Sequence, residues 1–239
     1  MNFLTLCVET NGVVKADNAP VFTTPTAVTG QTGKLAEIVK YVQRANLNIQ
    51  NEQPDWKFMV KQGTFVTTAT DPEYTLANIV ASVTDFQHII PFNFWDCPHI
   101  LGYKTSVGIS DSQPIIYRQY EFFRGHLDRI TVTDGRPQFF TILPDRSLRL
   151  YPAPDVGYTL RFDYKRMAFE LSTSSDTPII PSHHHWAIVA DAVDLYCRSN
   201  SGAGEMLAMN TPMRLRAMAA LRSEQIPNER FDYTQFYGG

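Results

Sequence analysis

Residues 29–58, from Thr29 to Phe58, read TGQTGKLAEIVKYVQRANLNIQNEQPDWKF, and their pattern decides the architecture. Leu35, Ile38, Val42, Ala45 and Ile49 recur at steps of three and four, which places them on one stripe of an amphipathic helix starting near Lys34. Thr32 is the expected N-cap. Gln53 ends the helix, because a residue that precedes proline is pushed out of helical backbone space. A chain whose clearest signal is a packing surface, with no catalytic loop beside it, is built to assemble.

The run Gly-Gln-Thr-Gly-Lys at the head of that helix has the look of a phosphate loop, since glycine amides and a lysine can cradle phosphates. The spacing rejects it. Val28 stands where the motif needs its first glycine, and Leu35 follows Lys34 where a magnesium-binding hydroxyl is required. The preceding DNAPVFTTPTAVTG is too rich in proline and polar residues to be the buried strand on which such a loop sits.

The 239 residues can bury a sizeable core, and 44% apolar with 19% charged residues describes a folded chain. A net charge of −3 without a basic block gives no means of gripping nucleic acid through its phosphates. Cys7, Cys97 and Cys197 are scattered and odd in number, which argues against a disulfide framework and fits a reducing compartment. The N-terminal MNFLTLCVETNG lacks the features of a signal peptide, and no apolar run is long enough to span a membrane.

Outward from the helix the reading gives an α+β fold: a helical bundle from N- and C-terminal helices with an inserted, mainly antiparallel β region. Residues 1–56 form the first part of the bundle, opening on a short segment around Phe3, Leu4, Leu6 and Cys7. Residues 57–181 are the insertion. Alternation from Lys57 to Thr68 suggests a strand or hairpin with Gly63 at a turn or bulge. Tyr158, Leu160, Phe162 and Tyr164 alternate with polar partners in the cleanest half-buried strand. Gln138–Leu143 and Leu148–Tyr151 are shorter strands joined at Pro144-Asp145. Residues 91–114 read as a long ordered loop that makes contacts, and Ile116 to Leu127 as a short helix.

Residues 182–226 complete the bundle. Ser182 is the expected cap of a helix with Trp186, Val189, Val193 and Tyr196 on one face, ending in SNSGAG. A last helix, Glu205 to Gln225, carries Met206, Met209, Met213, Ala217 and Ala220 as a core-filling stripe, kinked or split at Pro212. Residues 227–239 form an extended C-terminal arm whose Phe231, Tyr233, Phe236 and Tyr237 have the character of interface anchors.

Catalytic chemistry has little to stand on. His183, His184 and His185 are adjacent, so in a helical turn they point in different directions, while zinc needs convergent ligands. His184 and Asp191 share a face seven residues apart and give the alternative reading, a metal-dependent hydrolase, yet no second cluster completes the set. No Gly-x-Ser-x-Gly elbow or Cys-x-x-Cys pair is present. No catalytic, metal or cofactor residues are therefore expected.

Three stretches in order carry a resemblance. Residues 29–58, then RPQFFTILPDRSLRLYPAPDVGYTLRFDYKR, then DTPIIPSHHHWAIVADAVDLY resemble the tailed-bacteriophage head-to-tail adaptor (connector) proteins. In that family the corresponding parts are a Thr-Gly-rich start into a helix with a Pro-Asp-Trp-like stop, a strand series with Pro-x-Pro, and a Pro-led C-terminal helix. The resemblance implies a virion protein at the head-tail junction, assembled in the host cytoplasm. It implies a ring of identical subunits, a dodecamer, that binds the portal protein, extends the DNA channel without specific DNA binding, and offers a docking surface to a tail or nozzle protein. Phe231, Tyr233, Phe236 and Tyr237 would then belong to an arm reaching along the portal. Another head-completion or minor tail protein is the related alternative.

Overall fold

The computed structural model describes residues 1–15, 23–89, 99–130, 133–200 and 202–226. Contacts divide the chain into two units, Met1–Met59 with Ala168–Gly239, and Val60–Met167. The chain is α+β: helices make the first unit and an eight-stranded sheet dominates the second.

In the helical unit, α1 (Phe3–Lys15), α2 (Gly33–Glu52), α5 (His185–Ser199) and α6 (Gly204–Gln225) meet around one apolar core. α5 is the hub, packed against α1, α2 and α6. The α2 stripe faces inward as read, with Ile38, Val42, Ala45 and Ile49 buried and Leu35 at its margin. Burial of each of Ile38, Val42 and Ile49 contributes about 1.5–3 kcal/mol. Thr32 is the cap residue by backbone, at φ −127° and ψ 161°, but its side chain makes no capping bond. The glycines of the false phosphate loop have a conformational use: Gly30 at φ 71° and Gly33 at φ 57° lie in the left-handed region that a Cβ disfavours.

The Pro-Asp-Trp stop is more than a terminator. Gln53 is extended before Pro54, and Trp56 turns back under the helix, fully buried, where its indole N–H donates to the Ile49 carbonyl at 2.7 Å. One of the four carbonyls that a helix end leaves without an intrahelical partner is thereby satisfied. α2 also carries a polar stripe. Gln43 Nε2 donates to the Leu171 carbonyl at 2.7 Å and Asn46 Nδ2 to the Phe169 carbonyl at 2.8 Å. Gln50 donates to the Phe169 carbonyl at 3.1 Å and accepts from the Phe169 N–H at 2.7 Å. The chain re-entering this unit is held by side chains doing what a neighbouring strand would otherwise do.

In the sheet unit, β8 (Tyr158–Arg166) is the organising strand. β1 (Val60–Val66) runs antiparallel along one side of it; β4 (His99–Lys104) and β3 (Phe86–Ile89) also pair with it antiparallel. The sheet continues from β4 through β5 (Gln113–Tyr117), β6 (Phe139–Ile142) and β7 (Leu148–Tyr151) to β2 (Glu73–Tyr74). Only β5–β6 is parallel among the named strand pairs, and its crossover contains α4 (Tyr120–Gly125). A further helix, α3 (Leu76–Ser82), starts on a capping box between Thr75 and Asn78. Tyr158, Leu160, Phe162 and Tyr164 all point into the sheet core, as their alternation requires.

Several expectations are corrected. The segment around Phe3 is a helix of 13 residues, started by Asn2, whose side-chain oxygen accepts from the Thr5 N–H at 2.8 Å. Residues 91–114 are not one loop, because β4 and the start of β5 lie within them. Gly102 hid β4: a Cβ there would stand 2.7 Å from Ile115 Cδ1, so the glycine is a packing requirement inside a strand. Gly63 is neither turn nor bulge. Register is continuous from Val60↔Lys165 to Val66↔Thr159, and a Cβ at Gly63 would meet Val83 at 3.1 Å and Tyr164 at 3.2 Å. Residues 116–127 begin as the end of β5, and the helix covers only Tyr120–Gly125.

The C-terminal helices are also rephased. Ser182 gives no side-chain cap; Ser182–His184 is a 3-10 turn that precedes α5, and Trp186 is half exposed. α6 is a single helical span despite Pro212, and its inward face is Met206, Asn210, Met218, Leu221 and Gln225. Of the expected stripe Met206 is core and Ala217 packs against the core, but Met209 and Met213 are 73% and 44% exposed. The stripe was misplaced because two inward positions are polar. Asn210 Nδ2, for instance, donates to the Ala190 carbonyl at 2.8 Å.

Candidate functional site

The chemistry-bearing residues of the helical unit gather on α5 and α6. His185 is buried, and its Nε2 lies 2.9 Å from the Ile180 carbonyl; since a carbonyl only accepts, Nε2 carries the proton. Burial pushes its pKa down, so it is a neutral core histidine.

His183 and His184 behave differently from the sequence expectation, because both converge on Glu224 near the end of α6. His183 Nε2 lies 3.1 and 3.0 Å from the two carboxylate oxygens, and His184 Nε2 lies 3.0 Å from Oε2. Their rings are 4.2 Å apart and tilted by 49°. Divergence would hold if both residues were helical, but His184, at φ −102° and ψ 5°, stands in the junction between the 3-10 turn and α5. Glu224 was missed because it lies forty residues farther on and only the true phase of α6 brings it here. The two imidazoles, with Gln225 donating to Oε1 at 2.9 Å, hold the Glu224 carboxyl down at about 2.

His184 and Asp191 do not form a pair. Asp191 instead accepts from Arg214 Nε of α6 at 2.6 Å, and on the next turn Asp194 accepts from Arg198 Nε at 2.8 Å. Burial pushes the Asp191 carboxyl up while Arg214 opposes the shift. Asn48, Glu52 and Met218 join Asp191 and Arg214 around a shallow cavity of about 340 Å³. An acid neutralised by a guanidinium is a poor general base, and this arrangement ties α5 to α6.

The surface carries apolar groups suited to contact. On α6, Met209, Met213 and Leu215 are exposed, and in the sheet unit Val107, Ile109 and Ile130 are 58%, 62% and 55% exposed. Phe231, Tyr233, Phe236 and Tyr237 lie outside the described residues. No helix among the described residues is long and apolar enough to cross a membrane.

Comparison with curated proteins gives no match. The family model described as SU10 adaptor protein matches residues 15–232, which takes in both units and both C-terminal helices. With three ordered sequence motifs, an α+β chain and a match over most of its length, this protein belongs to the SU10 adaptor protein family, a family of phage head-to-tail adaptors.

Proposed function

We propose that the chain is a structural virion protein that forms a ring of identical subunits on the portal, continues the DNA channel and presents a docking surface to the tail or nozzle. The observation that carries this reading is the family match across residues 15–232. A closed ring needs two different, complementary surfaces on each subunit. The exposed apolar residues of α6 and those of the sheet unit supply separate contact candidates. The net charge of −3 suits a channel through which DNA slides without being gripped.

Within this reading residues 227–239 are a portal-binding arm anchored by Phe231, Tyr233, Phe236 and Tyr237, and residues 57–181 are an insertion carried by the helical bundle. The ring is a dodecamer, assembled in the host cytoplasm and retained at the head-tail junction. Electron microscopy of the purified chain mixed with its portal should show an added ring at the narrow end of the portal, and native mass of that complex should give the copy number. Absence of association would overturn the proposal. Truncation after Ile226 should weaken portal binding while leaving far-ultraviolet circular dichroism nearly unchanged; equal affinity would remove the arm from the proposal.

A further inference from the structure

The geometry points to a divalent transition-metal site of the zinc type on His183, His184 and Glu224, where the turn before α5 meets the last turn of α6. The ligand atoms of these three residues all lie within 4.8 Å of one another, and each imidazole Nε2 is 3.0 Å from Glu224 Oε2. Zinc bonds of about 2.0–2.2 Å in tetrahedral geometry place donor atoms about 3.3 Å apart. Both imidazole–carboxylate separations lie within a few tenths of an ångström of that value, and the two imidazole nitrogens are under 4.8 Å apart, which small side-chain rotations close. Two imidazoles and one carboxylate select zinc-like cations over magnesium and calcium, which prefer all-oxygen shells.

Proton and metal compete for the same atoms. With no cation, the carboxylate can only accept, so each Nε2 facing it carries a proton. On metal binding a neutral imidazole moves that proton to Nδ1 and offers the Nε2 lone pair to the ion. Gln225, donating to Oε1 at 2.9 Å, orients the carboxylate as an outer-shell partner would. Lys57 opposes the site, because its ammonium donates to the Glu224 main-chain carbonyl at 3.1 Å. His183, with its side chain 58% exposed, leaves the site open to solvent, while His184 at 10% is fixed by packing. Three protein ligands leave a fourth position for water. Bound metal would clasp the start of α5 to the end of α6, directly before residues 227–239.

The test uses the full-length chain without an affinity tag, titrated calorimetrically with zinc chloride and, as control, magnesium chloride. One zinc per chain is expected, with Kd of order 1–10 µM, corresponding to moderate affinity. Magnesium should give no heat. At a hundredfold excess of free zinc over Kd, thermal unfolding should shift up by roughly 5–10 °C and return with chelator. His183→Ala and Glu224→Gln, both at exposed side chains, should each weaken zinc at least about tenfold. Circular dichroism of the variants verifies that they fold. Cobalt substitution should give visible absorption of tetrahedral intensity that both variants lose. Wild type and variants binding zinc equally would overturn the site, as would wild type showing no binding at roughly a hundred times the expected Kd.

Discussion

The two units solve the same problem, a main chain that must be satisfied inside a core, by opposite means. In the sheet unit the backbone pairs with itself: β8 spends its polar groups on β1, β3 and β4, and its side chains are left free to fill the core in strict alternation. In the helical unit the return segment after Ala168 reaches α2 without a strand partner, and polar side chains of Gln43, Asn46 and Gln50 satisfy it. Backbone-to-backbone pairing tolerates many sequences. Side-chain-to-backbone pairing depends on single residues, so point changes should be costlier there.

The sharpest way to break that comparison is at Trp56. Trp56→Ala removes the largest fully buried side chain and leaves the Ile49 carbonyl without its donor, at an expected cost of about 3–5 kcal/mol. In a chain of this size the melting temperature should fall by roughly 10 °C or more. Trp56→Phe retains most of the ring and loses the bond, so it should cost about 1–3 kcal/mol. Equal losses in urea unfolding of the two variants would mean that the hydrogen bond, not the volume, dominates.

Next comes Gln50→Ala, predicted to cost about 0.5–1.5 kcal/mol because the Phe169 N–H loses its acceptor on the buried Gln50 side chain. Hydrogen exchange is the decisive readout. The Phe169 amide should exchange faster than in wild type, while amides of β8 in the other unit keep their protection. Unchanged protection at Phe169 would show that the return segment is held by something other than α2.

Legibility cuts across the two units. β8 is readable because alternation reports directly on which side chains face the core, β6 and β7 because the Pro144-Asp145 turn separates two short apolar runs, and α2 because its stripe runs from Leu35 to Ile49. α6 was misphased because its inward Asn210 and Gln225 score as surface residues, though both are buried. β4 was lost because Gly102, whose reason is the Ile115 side chain across the pair, punctuates a strand as it would a loop. α1 reads as a short segment because Thr10, Asn11 and Gly12 are weak helix formers, and burial of Thr10 and Asn11 carries the helix through them. The triple histidine was seen, but not its carboxylate partner. Composition and spacing carry no trace of an acid supplied by a helix forty residues away.

Gly102→Ala probes the sheet unit by overpacking, with an expected cost of about 1–2 kcal/mol. The clash is with Ile115 Cδ1 at 2.7 Å, the far end of a side chain that is itself buried at 2% exposure. Ile115→Val deletes that methyl and alone should cost about 0.5–1.5 kcal/mol. The double variant should be more stable than the sum of the two predicts, because each change supplies what the other lacks. Strict additivity in urea unfolding would place the strain elsewhere.

The smallest effect is a pH dependence, and it returns to the helical unit. Asp176 accepts from the Thr173 hydroxyl at 2.5 Å, the Thr173 N–H at 2.8 Å and the Ser172 N–H at 2.7 Å, and these donors hold its carboxyl well below the ordinary range. The turn matters because the Asp176 carbonyl accepts from the Phe3 N–H at 2.7 Å at the start of α1. A carboxyl lowered in the folded state binds fewer protons there than in the unfolded chain. Its contribution is complete above the unfolded carboxylate value of about 4 and is lost as pH falls from there toward its own lower value. Asp176→Asn should therefore lower the melting temperature by a few degrees at neutral pH, flatten the decline of wild type below about pH 4, and bring the two curves together in acid. Because the carboxylate is solvent-accessible, salt should shrink the gap at neutral pH only slightly if short donors dominate, and strongly if long-range charge does. Two parallel curves across the acid range would show that the turn is held by its backbone alone, which would make this corner of the helical unit behave like the sheet.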